Sequence, residues 1–363
     1  MTLPSWLHWT ISLPVIAVVA LAATWGREPA PVVLVLEGVL LIASVLAAVH
    51  HAEVVAHKVG EPFGSLVLAV AVTVIEVALI VTLMLAGKGQ VASLARDTVF
   101  SAVMLTMNGI VGLSLLLGAA RHQLPRFNPE GTGSALGTVI TLATLTMVVP
   151  TFTISHPGPV FTAGQLAFVA VASLALYGAF VFTQTIRHRD FFLPTGAVAG
   201  EADEDVHADP PTTAKALTSL GLLLVSLVAV VGLTKIESPA IEAGVAWLGF
   251  PASFVGVVIA TLVLLPESIA AIKAAKADRM QISMNLAYGS AMASIGLTIP
   301  TIAVASAWLP YGLELGLAPI QIVLLVLSGA VAVLTVVPGR AKTLQGWLHL
   351  SILAAFVFLS VSP

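Results

Sequence analysis

The chain has 363 residues, 58% of them hydrophobic, only 9% charged and none cysteine, with a formal net charge of −3. Soluble domains carry about 25% charged residues, so no water-soluble interior holds this much apolar side chain, and the solvent for most of the surface is lipid. The charge balance excludes nucleic acid as a partner, which needs a basic patch, and the missing cysteines exclude disulfides, thiol catalysis and Cys-ligated metal centres.

Apolar stretches long enough to cross a ~30 Å hydrocarbon core at 1.5 Å per residue recur along the chain. The first, 6–25, follows no Lys or Arg and is too long for a signal-peptide core, so it is read as a retained helix although Ala20-Leu21-Ala22 resembles a cleavage site. The others lie near 31–51, 62–86, 97–118, 134–155, 163–186, 215–234, 250–272, 284–308, 318–337 and 343–361. Together they predict an all-α polytopic membrane protein of about eleven spans. Trp6, Trp9, Trp25, Trp247, Trp308 and Trp347 fall at or near the proposed ends, where an amphipathic indole prefers to sit.

With a cytoplasmic N-terminus, every Lys and Arg except Arg27, Lys88, Arg96 and Lys235 falls on the cytoplasmic side. The positive-inside rule therefore predicts an inner-membrane protein with its N-terminus inside and its C-terminus outside. The longest polar break, 187–214, contains Glu201, Asp203, Glu204 and Asp205 and reads as an acidic, disordered cytoplasmic linker. It divides the chain into an extra N-terminal helix (1–28), a first five-helix repeat (29–186) and a second (215–363). An odd number of spans per repeat forces opposite orientations, the geometry of inverted-repeat transporters.

In each repeat the second helix carries a mid-span glutamate, Glu76 in VAVTVIEVALIV and Glu267 in ATLVLLPESIAA. A charged side chain at the bilayer centre costs about 2.5–3.5 kcal/mol on insertion scales and persists mainly where it faces protein or water. Thr73 lies one turn before Glu76 on nearly the same face. Pro266 removes a helical N–H, so a kink and a free carbonyl are expected near Val263, and free carbonyls beside a carboxylate suit a hard cation. Glu76 and Glu267 are thus the expected metal-binding pair, against a bland reading in which both are hydrogen-bonded for packing alone.

The following helix of each repeat supplies polar stripes. Ser101, Asn108 and Gly112 share one face, and so do Ser290, Ser294 and Thr298. The hydroxyls read first as helix-packing groups; the Asn108 amide is the stronger candidate ligand, because a buried amide is costly to leave unsatisfied. His50, Glu53 and His57 fall on one face at the end of the second span and read either as an interfacial cation-gathering cluster or as a solvated helix end. Glu61 with Pro62 reads as a helix start. Glu37 lines an access path or snorkels to the surface.

The segments HAEVVAHKVGEPFG before Glu76 and LLPESIAAIKAAKADRMQISMNLAYGSAMASIGLTIP around Glu267 resemble the Ca²⁺:cation antiporter superfamily, most closely the bacterial ChaA-type calcium/proton antiporters related to vacuolar Ca²⁺/H⁺ exchangers. The resemblance implies Ca²⁺/H⁺ exchange, Glu76 and Glu267 as its carriers, and an acidic loop that binds or senses cations. The family's Gly-Asn-x-x-Glu setting is replaced here by Val74-Ile75-Glu76 and Leu264-Leu265-Pro266-Glu267, and Ala293 stands at the position of a family glutamine. A Na⁺ or K⁺/H⁺ antiporter on the same fold is the alternative, and a cation channel a weaker one, since a channel needs a continuous hydrophilic pore. An intramembrane hydrolase lacks a nucleophile–base set. The expected partners are inorganic cations, protons and the lipid bilayer, with no cofactor. No sequence signal sets the oligomeric state.

Overall fold

The computed structural model describes residues 8–27, 29–60, 63–86, 91–193, 211–309 and 312–362. Among these residues the regular structure is helical, apart from two isolated β-bridges, Arg126 to Arg340 and Val160 to Glu314. The helices are α1 (Trp9–Thr24), α2 (Pro31–Val59), α3 (Phe63–Ala86), α4 (Leu94–His122), α5 (Pro129–Phe152), α6 (Ala163–Arg187), α7 (Thr213–Trp247), α8 in two segments (Phe254–Val263 and Leu265–Lys276), α9 (Met280–Ala305), α10 (Pro319–Val336) and α11 (Thr343–Val361). Among the described residues, nine are long and apolar enough to cross a membrane, α8 qualifies if its segments form one span, and α1 is a shorter apolar helix. The chain is a multi-pass membrane protein. Most of the acidic linker, 194–210, lies outside the described residues, as do Glu61 and Pro62.

Several boundaries differ from the hydropathy reading. The stretch expected to end at Thr234 continues as α7 to Trp247, 35 residues in all, and at 1.5 Å per residue reaches about 52 Å, well beyond a ~30 Å core. Lys235, Glu237, Pro239 and Glu242 look like a loop by composition but stay helical. Lys235 places its ammonium 4.8 Å from the centre of the Trp25 ring. Pro239 sits inside the helix, which removes the donor for the Lys235 carbonyl without ending it. Likewise α2 extends past residue 51 to Val59, and α5 starts at Pro129, where the Asn128 side chain accepts from the Glu130 and Gly131 amides.

Two compact units are present. One combines Met1–Val91 with Asp209–Val255, the other Ala92–Ala208 with Gly256–Pro363. Each unit therefore draws on both halves of the chain.

In the first unit α1, α2, α3 and α7 pack together. Small residues make this possible: Ala47, Ala48, Ala52 and Ala56 are buried along α2, and a Cβ on Gly232 of α7 would meet Leu21 of α1 at 2.2 Å. In the second unit α4 is the central helix, with 83% of its most apolar window buried. Gly112 of α4 and Gly346 of α11 allow direct backbone approach: a Cβ on Gly346 would lie 2.9 Å from the Gly112 carbonyl oxygen. At the start of α4 the buried Asp97 pairs with Arg96 at 2.8 Å and accepts from Ser93 at 3.0 Å. Among the described residues, four helices contain a π-helical turn: Leu105–Ile110 in α4, Thr144–Val148 in α5, Thr183–Arg187 in α6 and Ser294–Thr298 in α9. Such turns are uncommon and favour functional sites.

Candidate cation-binding site

Glu76 belongs to the first unit. The run VTVIEVALIV makes α3 apolar around it, and Ile75, Leu79 and Ile80 are buried with it, leaving the glutamate 2% exposed. Thr73, one turn earlier, is also buried, and its hydroxyl oxygen has no hydrogen-bond partner. A buried polar atom left unsatisfied costs about 1–3 kcal/mol. The turn from Thr73 to Glu76 therefore offers two oxygen-bearing side chains inside an otherwise apolar helix.

Glu267 belongs to the second unit. The break expected from Pro266 is present: the two segments of α8 meet at Leu264, at φ −83° and ψ −1°, and bend by 56°. Proline occupies the start of the second segment because its missing N–H is no loss there, and Glu267 falls in that segment's first turn, partly buried. The interrupted span leaves backbone groups beside a carboxylate, as discontinuous transporter helices do. A cavity of about 150 Å³ lies against this break, lined by Thr261, Leu264 and Ser268 of α8 and by Leu105, Gly109 and Ile110 from the π-helical turn of α4.

Asn108 sits in that turn and is completely buried. Its amide is held by protein on both sides. Nδ2 donates to Ser328 Oγ at 2.9 Å, and Oδ1 lies 3.2 Å from His349 Nδ1. His349 Nε2 is in turn 3.1 Å from Thr335 Oγ1. Because Ser328 already donates to the Leu324 carbonyl, it accepts from Asn108, which makes His349 Nδ1 the donor to Oδ1 and Thr335 the donor to Nε2. The amide oxygen read as a cation ligand is thus engaged by a histidine.

The remaining predicted residues fall as follows. Ser101 is buried and donates to the Asp97 carbonyl at 2.5 Å, one turn back on its own helix. Ser294 and Thr298 open and close the π-helical turn of α9 and are buried, while Ser290, a turn earlier, is partly buried. His50, Glu53 and His57 are exposed along α2, and no group of three metal-binding side chains forms among the described residues. Glu37, by contrast, is buried and accepts from Thr24 Oγ1 at 2.5 Å.

Several buried ionisable residues escaped the sequence reading, among them His349, His51 and Glu237. His349 lies mid-span in GWLHLSIL, a signal that hydropathy windows average away. His51 is the buried neighbour of the exposed His50, with Nε2 2.9 Å from the Thr10 carbonyl and Nδ1 3.4 Å from Ser219 Oγ. Glu237 fell in the stretch taken as a loop.

Comparison with known proteins adds the family. A family model described as sodium/calcium exchanger protein matches residues 29–186 and 218–362. A putative ionic transporter, y4hA, of Sinorhizobium fredii is 43% identical over 98% of this chain and 96% of its own length. The sodium-potassium/proton antiporter ChaA of Escherichia coli K12 is 33% identical over 96% of this chain and 94% of its own. Among solved structures, the selenium-substituted Ca²⁺/H⁺ antiporter protein YfkE aligns over 98% of each chain with a TM-score of 0.71 at 14% identity, a likeness of fold.

Proposed function

The chain belongs to the sodium/calcium exchanger protein family, and on that premise we propose that it is a secondary-active cation/proton antiporter of the inner membrane whose paired carriers are Glu76 and Glu267. The observation that carries this reading is the burial of Glu76 at 2% exposure in an apolar span, beside the unpartnered hydroxyl of Thr73. A mid-membrane carboxylate is retained against its insertion cost where it binds or relays charge. Glu267, at the bend of an interrupted helix, supplies the second carboxylate.

The mechanism follows from charge. With both glutamates ionised the empty carrier holds two negative charges, and either a cation or protons reduce them. Cation and protons compete for the same oxygens, so alternating access by the loaded forms produces exchange in opposite directions. The two inverted five-helix repeats, with α1 as an extra helix, an inside N-terminus and an outside C-terminus, are the architecture proposed to deliver that access.

The first reading of the cation is Ca²⁺, which takes six to eight oxygens including carboxylates. Two observations favour a second reading, Na⁺ or K⁺. The relative at 33% identity is a sodium-potassium/proton antiporter, and the Asn108 amide oxygen, one of the oxygens a Ca²⁺ shell would draw on, is engaged by His349. Inside-out vesicles carrying the protein test both: an imposed pH gradient should drive Ca²⁺, Na⁺ or K⁺ flux above that of empty vesicles. Flux of Na⁺ or K⁺ without Ca²⁺ flux at any pH contradicts the calcium reading, and no proton-coupled flux of any of the three contradicts antiport.

A further inference from the structure

The first unit contains a second pair of buried carboxyl groups. Glu37 lies near the start of α2 and Glu237 in the last third of α7, 1% and 6% exposed respectively, and the two fall at one level because Glu37 bonds Thr24 of α1 while the next residue, Trp25, lies under the ammonium of Lys235 of α7. One oxygen of each, Glu37 Oε2 and Glu237 Oε1, is buried without any hydrogen-bond partner. The other Glu37 oxygen accepts the Thr24 hydroxyl of α1. The pair therefore sits where α1, α2 and α7 pack together.

Among the described residues no cation neutralises it. Arg96, in the second unit, is paired with Asp97. Lys235 is exposed and lies over Trp25, and Arg27 is exposed beyond the end of α1. Of the other acidic groups on the packed helices, Glu242 of α7 accepts from Ser238 at 3.4 Å, Glu76 is the titratable residue of α3, and Glu53 is exposed about 24 Å further along α2. The histidines of α2 begin at His50, about 20 Å further along the helix axis. Two buried carboxylates of like charge without a counter-charge are costly. The orphan oxygens also state what is missing: both are acceptors, and neither has a donor.

We propose that Glu37 and Glu237 form a proton-binding site, distinct from Glu76 and Glu267, that fastens α2 to α7. One proton lowers the pair from two negative charges to one and converts one carboxylate into an O–H donor. Loss of that proton restores two like charges and drives the helices apart at this level. A divalent metal suits the site less well, because it needs about six oxygens, and the side chains here are two carboxyls and a hydroxyl already given to Glu37.

The test is infrared difference spectroscopy of the purified full-length protein across a pH titration, reading the C=O stretch of protonated buried carboxyl groups. Glu37→Gln and Glu237→Gln should each remove one band, and the same band should persist in the Glu76→Gln/Glu267→Gln double variant. This readout does not depend on transport, so it separates failure of this proposal from failure of the antiport reading. A spectrum unchanged by both Glu37→Gln and Glu237→Gln overturns the site. So does a band that Ca²⁺, Na⁺ or K⁺ abolishes at constant pH in the double-variant background, since the occupant is then a metal ion. Should one single variant fail to fold, the other reads the same band. In vesicles, and resting on the antiport reading, Glu37→Gln and Glu237→Gln should retain exchange with a shifted pH dependence; a wild-type pH dependence in both contradicts the proposed link to transport.

Discussion

Asn108, Ser328, Thr335 and His349 satisfy one another in a chain in which each assigned donor meets an acceptor inside a fully buried region. Hydrogen bonds between membrane helices average only about 0.6 kcal/mol, because the separated helices find other partners. A buried group that cannot find one costs about 1–3 kcal/mol. Thr335→Val keeps the shape and removes the donor to His349 Nε2, and the site has no exposure through which water reaches the ring. We therefore expect a loss of about 1–3 kcal/mol in denaturant unfolding of the protein in detergent, with Asn108→Ala losing more because it breaks contacts to both Ser328 and His349. Unchanged stability of both variants contradicts the network as drawn. Residue roles were only partly legible in the sequence: the burial of Glu76 and the bend before Glu267 follow from hydropathy and proline chemistry. That the Asn108 amide faces a histidine 241 positions later does not.

At the scale of elements, close approach of α4 and α11 rests on glycine. A Cβ on Gly346 would lie 2.8 Å from the Leu116 amide nitrogen and 2.9 Å from the Gly112 carbonyl oxygen, and backbone atoms cannot swing aside. Gly346→Ala should therefore destabilise by about 1–3 kcal/mol, whereas Gly137→Ala in α5, with nothing within 4 Å, should be neutral or gain up to about 1 kcal/mol from helix propensity. Thermal unfolding of the two variants side by side checks this, and equal effects contradict the packing argument. Elements were legible in the sequence wherever apolar composition ran uninterrupted. The ends of α2 and α7 were not, because charged residues that read as loop are accommodated by neighbours: Lys235 by the Trp25 ring, and Glu237 within the helix packing. The π-helical turns leave no mark in an apolar periodicity.

For the whole molecule, the distribution of Lys and Arg predicts an orientation that the helix order alone does not. Reporters fused in the Glu201 loop should signal from the cytoplasm and reporters after Pro363 from outside. A periplasmic signal from the loop contradicts the inverted-repeat arrangement. The central claim is that exchange runs through two carboxylates, and it is tested most directly by ΔpH-driven cation flux in vesicles carrying Glu76→Gln or Glu267→Gln. Glutamine keeps the size and much of the hydrogen-bonding shape of a protonated glutamate but neither ionises nor releases a proton. Removing a mid-membrane charge eases insertion by up to a few kcal/mol, so expression should hold. Flux at the level of empty vesicles in each variant, at wild-type expression, is the predicted result; near wild-type flux in either one contradicts the mechanism.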